Sequence, residues 1–171
     1  ALSNAIPVKK ETTHWYFPLN KYEDFLKEWI VDGKKQTWKS NVYGQCKSWI
    51  DSGLQPRAMT RDSNWGIPVP LPNADGKVLY VWLDAPIGYL ASLKAYCAKI
   101  GLDFDALIDP ASSTEQVHFI GKDIVYFHAL FWPATLKFAG RKVPDQLNVH
   151  GFITVSGEKM SKSRGTGISP L

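Results

Sequence analysis

The 171 residues are 44% hydrophobic and 13% aromatic, a composition that is typical of a folded globular chain and excludes a disordered one. The 20 basic and 16 acidic side chains leave a net charge of +4, which permits an anionic partner without requiring one. Cys46 and Cys97 form no Cys-x-x-Cys pair, so we expect buried, reduced thiols and no zinc site. The longest apolar run, Ile124 to Phe138, is too short to span a bilayer, and we expect a cytoplasmic protein without a membrane partner.

The first third of the chain predicts a short strand followed by helices. Thr13 to Leu19 is an aromatic strand, and Asn20 is the predicted cap of a helix that ends at Asp32-Gly33. A second amphipathic helix is predicted from Gln36 to Asp51. The segment from Gln55 to Pro72 contains four prolines, which predicts an irregular connection between two structural units.

Beyond that connection the pattern changes to alternating strands and helices. The predicted strands are Val78 to Leu83, Gln116 to Ile120 and Leu147 to His150, and the helices are Ile87 to Ile100 and Ile124 to Ala139, the second capped by Asp123. This order predicts an α/β fold with parallel strands joined by right-handed crossovers. In such sheets ligands bind beyond the C-terminal ends of the strands.

Three clusters follow the predicted strand ends. Trp82 to Tyr89 combines aromatic walls with one hydroxyl, which suits an apolar side chain that carries a weak acceptor, such as a thioether. Gly121 to His128 offers a glycine for close backbone approach and a carboxylate for ribose hydroxyls. His150-Gly151 precedes the basic run Gly157 to Gly165, whose lysines and serines suit a polyphosphate.

Each cluster also has a purely structural interpretation. A basic run can be an exposed surface turn, and a carboxylate after a strand can cap the next helix, as Asp84 or Asp123 would. Aromatic side chains such as Trp82 and Tyr89 can belong to the core. A histidine on an apolar helix, here His128, is usually a satisfied core residue.

The basic run and the two clusters before it resemble a known family. Lys159-Met160-Ser161-Lys162-Ser163 resembles the second signature of class I aminoacyl-tRNA synthetases. Tyr80 to Tyr89, Phe119 to His128 and Val149 to Phe152 resemble methionyl-tRNA synthetases in identity and order. The resemblance implies that residues 59–171 are the second half of a Rossmann-type, parallel-sheet nucleotide-binding catalytic domain. Residues 1–58 would be the end of a connective insertion and mainly helical.

The resemblance also implies a reaction and a set of roles. Methionine would be activated with ATP, taken with Mg²⁺ as substrate, to methionyl-adenylate and then transferred to tRNA(Met). The implied methionine-binding residues are Trp82, Ala85, Pro86, Tyr89, Ile124 and His128. The implied ATP-binding residues are Gly121, Asp123, His150, Val155, Lys159 and Lys162, and the last two would also be catalytic, on the pyrophosphate side.

The chain departs from the family pattern in one respect. Class I synthetases carry an earlier His-x-Gly-His signature, and none of the four histidines begins one. We therefore expect an excised C-terminal half of the catalytic domain, inactive without its N-terminal half, with a mobile loop at Lys159 to Ser163. Two alternatives stay open: a stand-alone, non-catalytic binding module derived from a synthetase, and another nucleotidyl transferase of the same superfamily.

Overall fold

The computed structural model describes residues 6–152, 154–155, 157–160, 165 and 167. Its strands are β1 Tyr16–Phe17, β2 Arg57–Ala58, β3 Thr60–Asp62, β4 Lys77–Leu79, β5 Val117–Gly121, β6 Gln146–His150, β7 Thr154–Val155 and β8 Glu158–Lys159. Its α-helices are α1 Glu23–Leu26, α2 Ser40–Asp51, α3 Val81–Asp84, α4 Ile87–Ile100, α5 Phe104–Leu107 and α6 Trp132–Phe138. The strands pair two by two, and within the described residues only β5 and β6 are parallel.

The first helical segment ends where the sequence predicts but begins differently. A 3-10 turn at Leu19–Tyr22 leads into α1, and a π-helical stretch at Lys27–Asp32 follows it, with Gly33 as the C-cap. The prediction that Asn20 caps this helix is wrong, because Pro18 occupies the cap position and Asn20 lies inside the first turn. The aromatic strand before it shortens to β1, which pairs with β2.

Helix α2 begins four residues later than its apolar periodicity predicts. The backbone N–H of Trp38 donates to the Lys34 carbonyl in a separate turn, and Lys39 is extended at the N-cap with ψ 136°. Trp38 is nevertheless buried, so the apolar face continues across the break. The periodicity reports burial, and burial does not require that the backbone be helical throughout.

The parallel pair contributes to the core. Ile120 on β5 and Leu147 and Val149 on β6 belong to one buried cluster with Val42, Cys46 and Ile50 of α2. The same cluster includes Leu19, Leu26 and Ile30, together with Val125, Ala129, Leu130 and Ala134. The N-terminal helices and the parallel strands therefore share one core, while the proposed division at residue 58 stays a prediction.

The predicted strand from Val78 to Leu83 is wrong over its second half. Strand β4 ends at Leu79 and pairs antiparallel with β3, so it is not part of the parallel sheet. The backbone N–H of Leu83 donates to the Tyr80 carbonyl, and the chain turns into α3. A short apolar run does not distinguish a strand from a helical turn, and here Asp84-Ala85-Pro86 favours the turn.

The connection from Gln55 to Pro72 is more regular than its proline content predicts. It contains β2 and β3, and Pro68 forms an isolated bridge to Val78. Prolines are tolerated at the edges of such short strands, where their missing N–H group leaves no ladder bond unmade.

The predicted helix from Ile124 to Ala139 is divided into three segments. A 3-10 turn at Lys122–Ile124 begins it, a π-helical turn follows at Phe127–Phe131, and α6 completes it. Pro133 has no N–H group to donate to the carbonyl of Ala129, which explains the widened turn before α6. The predicted N-cap role of Asp123 is wrong, since Gly121 is the cap and no side chain bonds to it.

The remaining features concern cysteines and membrane spans. Cys46 and Cys97 are both buried free thiols, as predicted, and burial raises the pKa of Cys46 to about 12. In the part of the chain that the structure describes, no helix has the length and apolar character needed to cross a membrane.

Candidate functional site

Tyr89 and His128 form the centre of the site. Tyr89 lies in the first turn of α4, and His128, which is fully buried, lies in the π-helical turn. His128 Nδ1 is 3.0 Å from the Ile124 carbonyl oxygen, which can only accept, so Nδ1 carries the proton. Nε2 is then an acceptor, and the Tyr89 hydroxyl donates to it at 2.9 Å. Burial lowers the pKa of His128, which favours this neutral imidazole.

Aromatic rings surround this pair. Trp82 stacks on Phe127 with ring centroids 4.6 Å apart. Trp82 and His128 make an edge-to-face contact with ring centroids 5.7 Å apart. The ring centroid of His118 on β5 lies 5.4 Å from that of Tyr89 and 6.0 Å from that of His128. Three predicted residues that are distant in sequence, Trp82, Tyr89 and His128, are thus brought into contact, and Ile124 joins them through its carbonyl group.

Two of the surrounding rings were not among the predicted site residues. Phe127 directly precedes His128 and could have been found because it lies in the same motif. His118 lies in a strand two residues before the buried Ile120, and period-two alternation places both on one face. Burial, and secondarily the neighbouring His128, lowers the pKa of His118, so two neutral imidazoles lie side by side.

Ala85 and Pro86 lie in the turn that joins α3 to α4. Ala85 is exposed and Pro86 is buried, and the Tyr89 N–H donates to the Pro86 carbonyl at 3.1 Å. This turn therefore holds Tyr89 at the start of its helix. Asp84 forms no helix cap, and its buried Oδ1 has no hydrogen-bond partner among the described residues.

Gly121, Asp123 and His150 lie together at the C-terminal ends of the parallel strands. Gly121 is the register partner of His150, each being the last residue of its strand. A Cβ atom at position 121 would lie 2.9 Å from Asp123 Oδ1 and 3.9 Å from a carbon of the His150 ring. The glycine therefore leaves room for the carboxylate, and Asp123 and His150 are both exposed to solvent there.

The basic run begins in a hairpin. Val155 on β7 pairs with Glu158 on β8, Thr154 pairs with Lys159, and Gly157 in the turn has a φ of 82°, which favours glycine. The backbone of Lys159 is thus in a strand. Lys162 lies outside the described residues, as does most of the loop that the sequence predicts to be mobile.

The arrangement offers a half-open surface with distinct chemistry at two positions. The aromatic cluster around Tyr89 has as its polar groups the committed hydroxyl and the imidazoles of His118 and His128, whereas the Gly121 position carries the exposed side chains of Asp123 and His150. Among the described residues, no three His, Cys, Asp or Glu side chains come close enough to hold a metal ion. The Gly121 position lies at the C-terminal ends of the parallel pair, where ligands bind in open α/β sheets, and the aromatic cluster contacts the pair through His118 near the start of β5.

Comparison with solved structures finds a similar fold in known synthetases. A crystal structure of Mycobacterium tuberculosis methionyl-tRNA synthetase bound by methionyl-adenylate superimposes with a TM-score of 0.70 at 30% identity, covering 94% of this chain and 30% of that chain. The free state of the same enzyme superimposes with a TM-score of 0.61, covering 81% of this chain. The mixed α/β fold with its parallel strand pair thus matches part of a methionyl-tRNA synthetase.

Sequence comparison gives closely related proteins. The chain is 57% identical over 175 residues to a methionine–tRNA ligase of Janthinobacterium sp. (strain Marseille) and 50% identical over 169 residues to that of Christiangramia forsetii. It covers 99% and 98% of its own length in these matches but only 24% of each relative. The family of class I tRNA synthetases (M) matches residues 1–171. The chain therefore belongs to the class I methionyl-tRNA synthetases.

Proposed function

We propose that this chain forms the C-terminal half of the Rossmann-type catalytic domain of a methionyl-tRNA synthetase. Residues 59–171 contribute the second half of the parallel sheet, and residues 1–58 are the mainly helical end of a connective insertion. The parallel strand pair supports this assignment. So does the extent of the match, because the chain covers only 24% of the length of the related ligase. The complete reaction activates methionine with ATP and then transfers methionine to tRNA(Met).

The observation that carries the proposal is the bond between Tyr89 and His128 within a ring of aromatic side chains. Trp82, Ala85, Pro86, Tyr89, Ile124 and His128 would form one wall of the methionine pocket. The Tyr89 hydroxyl already donates to His128, so it is not free to donate to the thioether sulfur at the same time. The side chain of methionine is then recognised mainly by dispersion and by sulfur–aromatic contacts with rings such as Trp82.

The nucleotide lies at the other position. Asp123 would accept hydrogen bonds from the ribose hydroxyls, and Gly121 keeps the backbone open at that point. His150 and Val155 would flank the adenosine. With methionine at the aromatic cluster and the nucleotide at the Gly121 position, the methionine carboxylate and the α-phosphate of ATP would meet between them. The reaction would then depend chiefly on their alignment.

Charge must be neutralised when the reaction proceeds. A methionine carboxylate oxygen attacks the α-phosphorus, the bond to the bridging oxygen breaks, and pyrophosphate leaves with that electron pair. Lys159 and Lys162 would neutralise the charge that develops on pyrophosphate, beside the Mg²⁺ that accompanies ATP. Lys162 is the principal candidate for the transition state because it lies in the loop of the signature.

Methionine-dependent exchange of pyrophosphate into ATP tests the proposal. The chain alone should show no exchange, because no His-x-Gly-His segment is present in its 171 residues. Adding the preceding catalytic segment of a methionine–tRNA ligase relative should restore exchange. Equal exchange by the chain alone would contradict the half-site proposal, and absence of exchange with correctly folded partners would contradict the assignment to methionine activation.

The role of Lys162 is tested separately in the complementary pair, which is this chain combined with the preceding catalytic segment of a methionine–tRNA ligase relative. Lys162→Ala should lower the rate of adenylate formation by about a hundredfold or more, with little change in methionine affinity, as expected for an interaction made in the transition state. Lys99→Ala, an exposed lysine in the last turn of α4, is the matched control. An unchanged rate in Lys162→Ala would remove this residue from the mechanism.

A further inference from the structure

A cationic groove of about 500 Å³ lies at the N-terminal end of strand β6. Phe25 and Trp29 form one wall, and the loop between α6 and β6 forms the other. The adjoining surface adds the exposed Glu28. Among the described residues, the groove is lined by four cationic side chains and one carboxylate, namely Lys34, Lys137, Arg141, Lys142 and Asp145. Positive charge is therefore in excess, which suits an anionic ligand.

Lys34 is the cation of this groove whose contacts favour the neutral amine. It is half-buried, and its Nζ donates to the backbone carbonyl oxygen of Asp145 at 2.7 Å. The carboxylate of Asp145 is committed to other donors, since Oδ1 accepts from Lys142 at 3.2 Å and Oδ2 accepts from the Gln116 N–H at 2.8 Å. Lys34 Nζ also lies 5.5 Å from the centroid of the Trp29 ring. The hydrogen-bond partner of Lys34 is thus a carbonyl group, which does not require a charged donor.

The electrostatic surroundings of Lys34 act in the same direction. Burial is the largest influence and lowers the pKa of Lys34, Asp145 opposes it, and the neighbouring Lys142 lowers the pKa again. Desolvation and a nearby cation are the two features that make a lysine amine nucleophilic. A neutral amine has two N–H groups and a lone pair, so one N–H can keep the bond to Asp145 while the lone pair attacks an electrophile.

The other side chains of the groove suit the two ends of one reagent. Lys137 is exposed, and its Nζ lies 5.3 Å from the centroid of the Phe25 ring. Arg141 pairs at 2.9 Å with the exposed Asp105, and its guanidinium group has further N–H donors for a phosphate. Phe25 stacks on Trp29 with ring centroids 6.4 Å apart, which provides an apolar surface. A phosphate group and an apolar acyl group can therefore lie side by side.

We propose that Lys34 is a site of acylation by acyl phosphates, the mixed anhydrides of a carboxylic acid and phosphoric acid. The phosphate lies against Lys137 and Arg141, and the acyl group lies against the aromatic wall. The neutral amine of Lys34 attacks the acyl carbon, and a C–N bond forms. The bond from that carbon to the bridging oxygen breaks, and phosphate leaves with the electron pair and takes up the proton that the amine loses. The products are an uncharged amide at Lys34 and inorganic phosphate.

This inference is independent of the function proposed above. Acylation of the chain needs neither methionine nor ATP, and the groove lies at the opposite end of β6 from His150 and the position proposed for ATP. Failure of acylation at Lys34 would leave methionine activation unaffected. Failure of pyrophosphate exchange would leave the acylation site unaffected.

Acetyl phosphate is the probe, and mass spectrometry of the digested 171-residue chain measures the rate of acetylation at each lysine. Lys34 should react at least about tenfold faster than Lys99, an exposed lysine of α4. Inorganic phosphate should compete for the groove, slowing the reaction at Lys34 and leaving the rate at Lys99 unchanged. Equal rates at the two lysines, or an equal effect of phosphate on both, would overturn the proposal.

A donor without a phosphate group separates docking from nucleophilicity. The N-hydroxysuccinimide ester of acetic acid is uncharged, so the preference for Lys34 over Lys99 should be smaller with this ester than with acetyl phosphate. An equal preference with both donors would show that the groove does not hold the phosphate, and would overturn the proposal.

Charge variants test the docking cations. The double variant Lys137→Gln, Arg141→Gln should lower the rate of acetylation at Lys34 by about threefold or more, because two cations of the groove are removed. The matched variant Lys94→Gln, Lys99→Gln removes two exposed lysines of α4 and should leave the rate at Lys34 unchanged. Circular dichroism checks that each variant is folded. An unchanged rate in the first variant, or an equal decrease in both, would overturn the proposal.

Discussion

The Tyr89 hydroxyl lies 2.9 Å from Nε2 of His128, although the two residues are 39 positions apart in the chain. This bond joins the first turn of α4 to the π-helical turn before α6. The Ile124 carbonyl keeps the imidazole proton on Nδ1, so Nε2 accepts the hydrogen bond from Tyr89. The aromatic wall proposed for methionine is therefore a hydrogen-bonded unit rather than a set of independent side chains.

Tyr89→Phe should lower the free energy of unfolding by about 1–2 kcal/mol. The substitution removes the hydroxyl and leaves a buried imidazole nitrogen without its donor, which costs more than the bond alone is worth. Urea unfolding measures the change. Tyr96→Phe, an exposed tyrosine of the same helix that is 56% accessible, should change stability by much less. Equal losses in the two variants would show that the bond to His128 contributes nothing.

Stability should fall as the pH drops below about 6.5. Burial lowers the folded-state pKa of both His118 and His128 from the ordinary value of 6.5, so the unfolded chain binds protons that the folded chain does not. The stabilisation is fully present above the unfolded pKa and is lost as the pH falls towards the lowered values. Urea unfolding between pH of about 7.5 and 5 measures this.

Histidine variants assign that pH dependence to residues. His118→Gln should make the decrease in stability below neutral pH shallower, because one of the two depressed groups is removed. His150→Gln, which replaces an exposed histidine outside the aromatic cluster, is the matched control. A slope that is the same in His118→Gln and the original chain would contradict the attribution to His118.

Gly121→Ala should disturb the proposed nucleotide position without unfolding the chain. The new Cβ would lie 2.9 Å from Asp123 Oδ1, and the exposed Asp123 side chain can rotate away, so stability should change by less than about 1 kcal/mol. In the complementary pair, KM for ATP should rise by about tenfold, as in Asp123→Ala. Gly151→Ala, with open space around its added Cβ, is the control. An unchanged KM would contradict the proposed role of Asp123.

Gly44→Ala should stabilise the chain by about 0.5–1 kcal/mol. Gly44 lies in the middle of α2, and an added Cβ would meet nothing within 4 Å. Gly53→Ala should have the opposite sign, because Gly53 follows the end of α2 with a φ of 81° that other residues rarely adopt. Thermal or urea unfolding of both variants checks the pair, and changes of the same sign would contradict this account.

Local sequence predicted some elements accurately and others poorly, for identifiable reasons. Helix α4 has the predicted bounds because its end depends on Gly101, which adopts the left-handed conformation with a φ of 75°. The segment after Leu79 is helical and not extended, because its β-branched and aromatic residues suit a strand and a helical turn equally well. The apolar periodicity after Gly121 predicts one continuous helix, whereas Pro133, which lacks an N–H group, follows a π-helical turn at Phe127–Phe131.

The sequence by itself determined the family, the three motif clusters and the residue types that can hold an apolar side chain, a ribose and a polyphosphate. Chain order and local propensity are enough for these conclusions. Only the tertiary structure decided that Phe127 stacks on Trp82, that His118 lies against Tyr89, and that the Tyr89 proton is committed to His128. Contacts between residues far apart in the chain follow from how the helices pack on the parallel strands, and no local pattern encodes that packing.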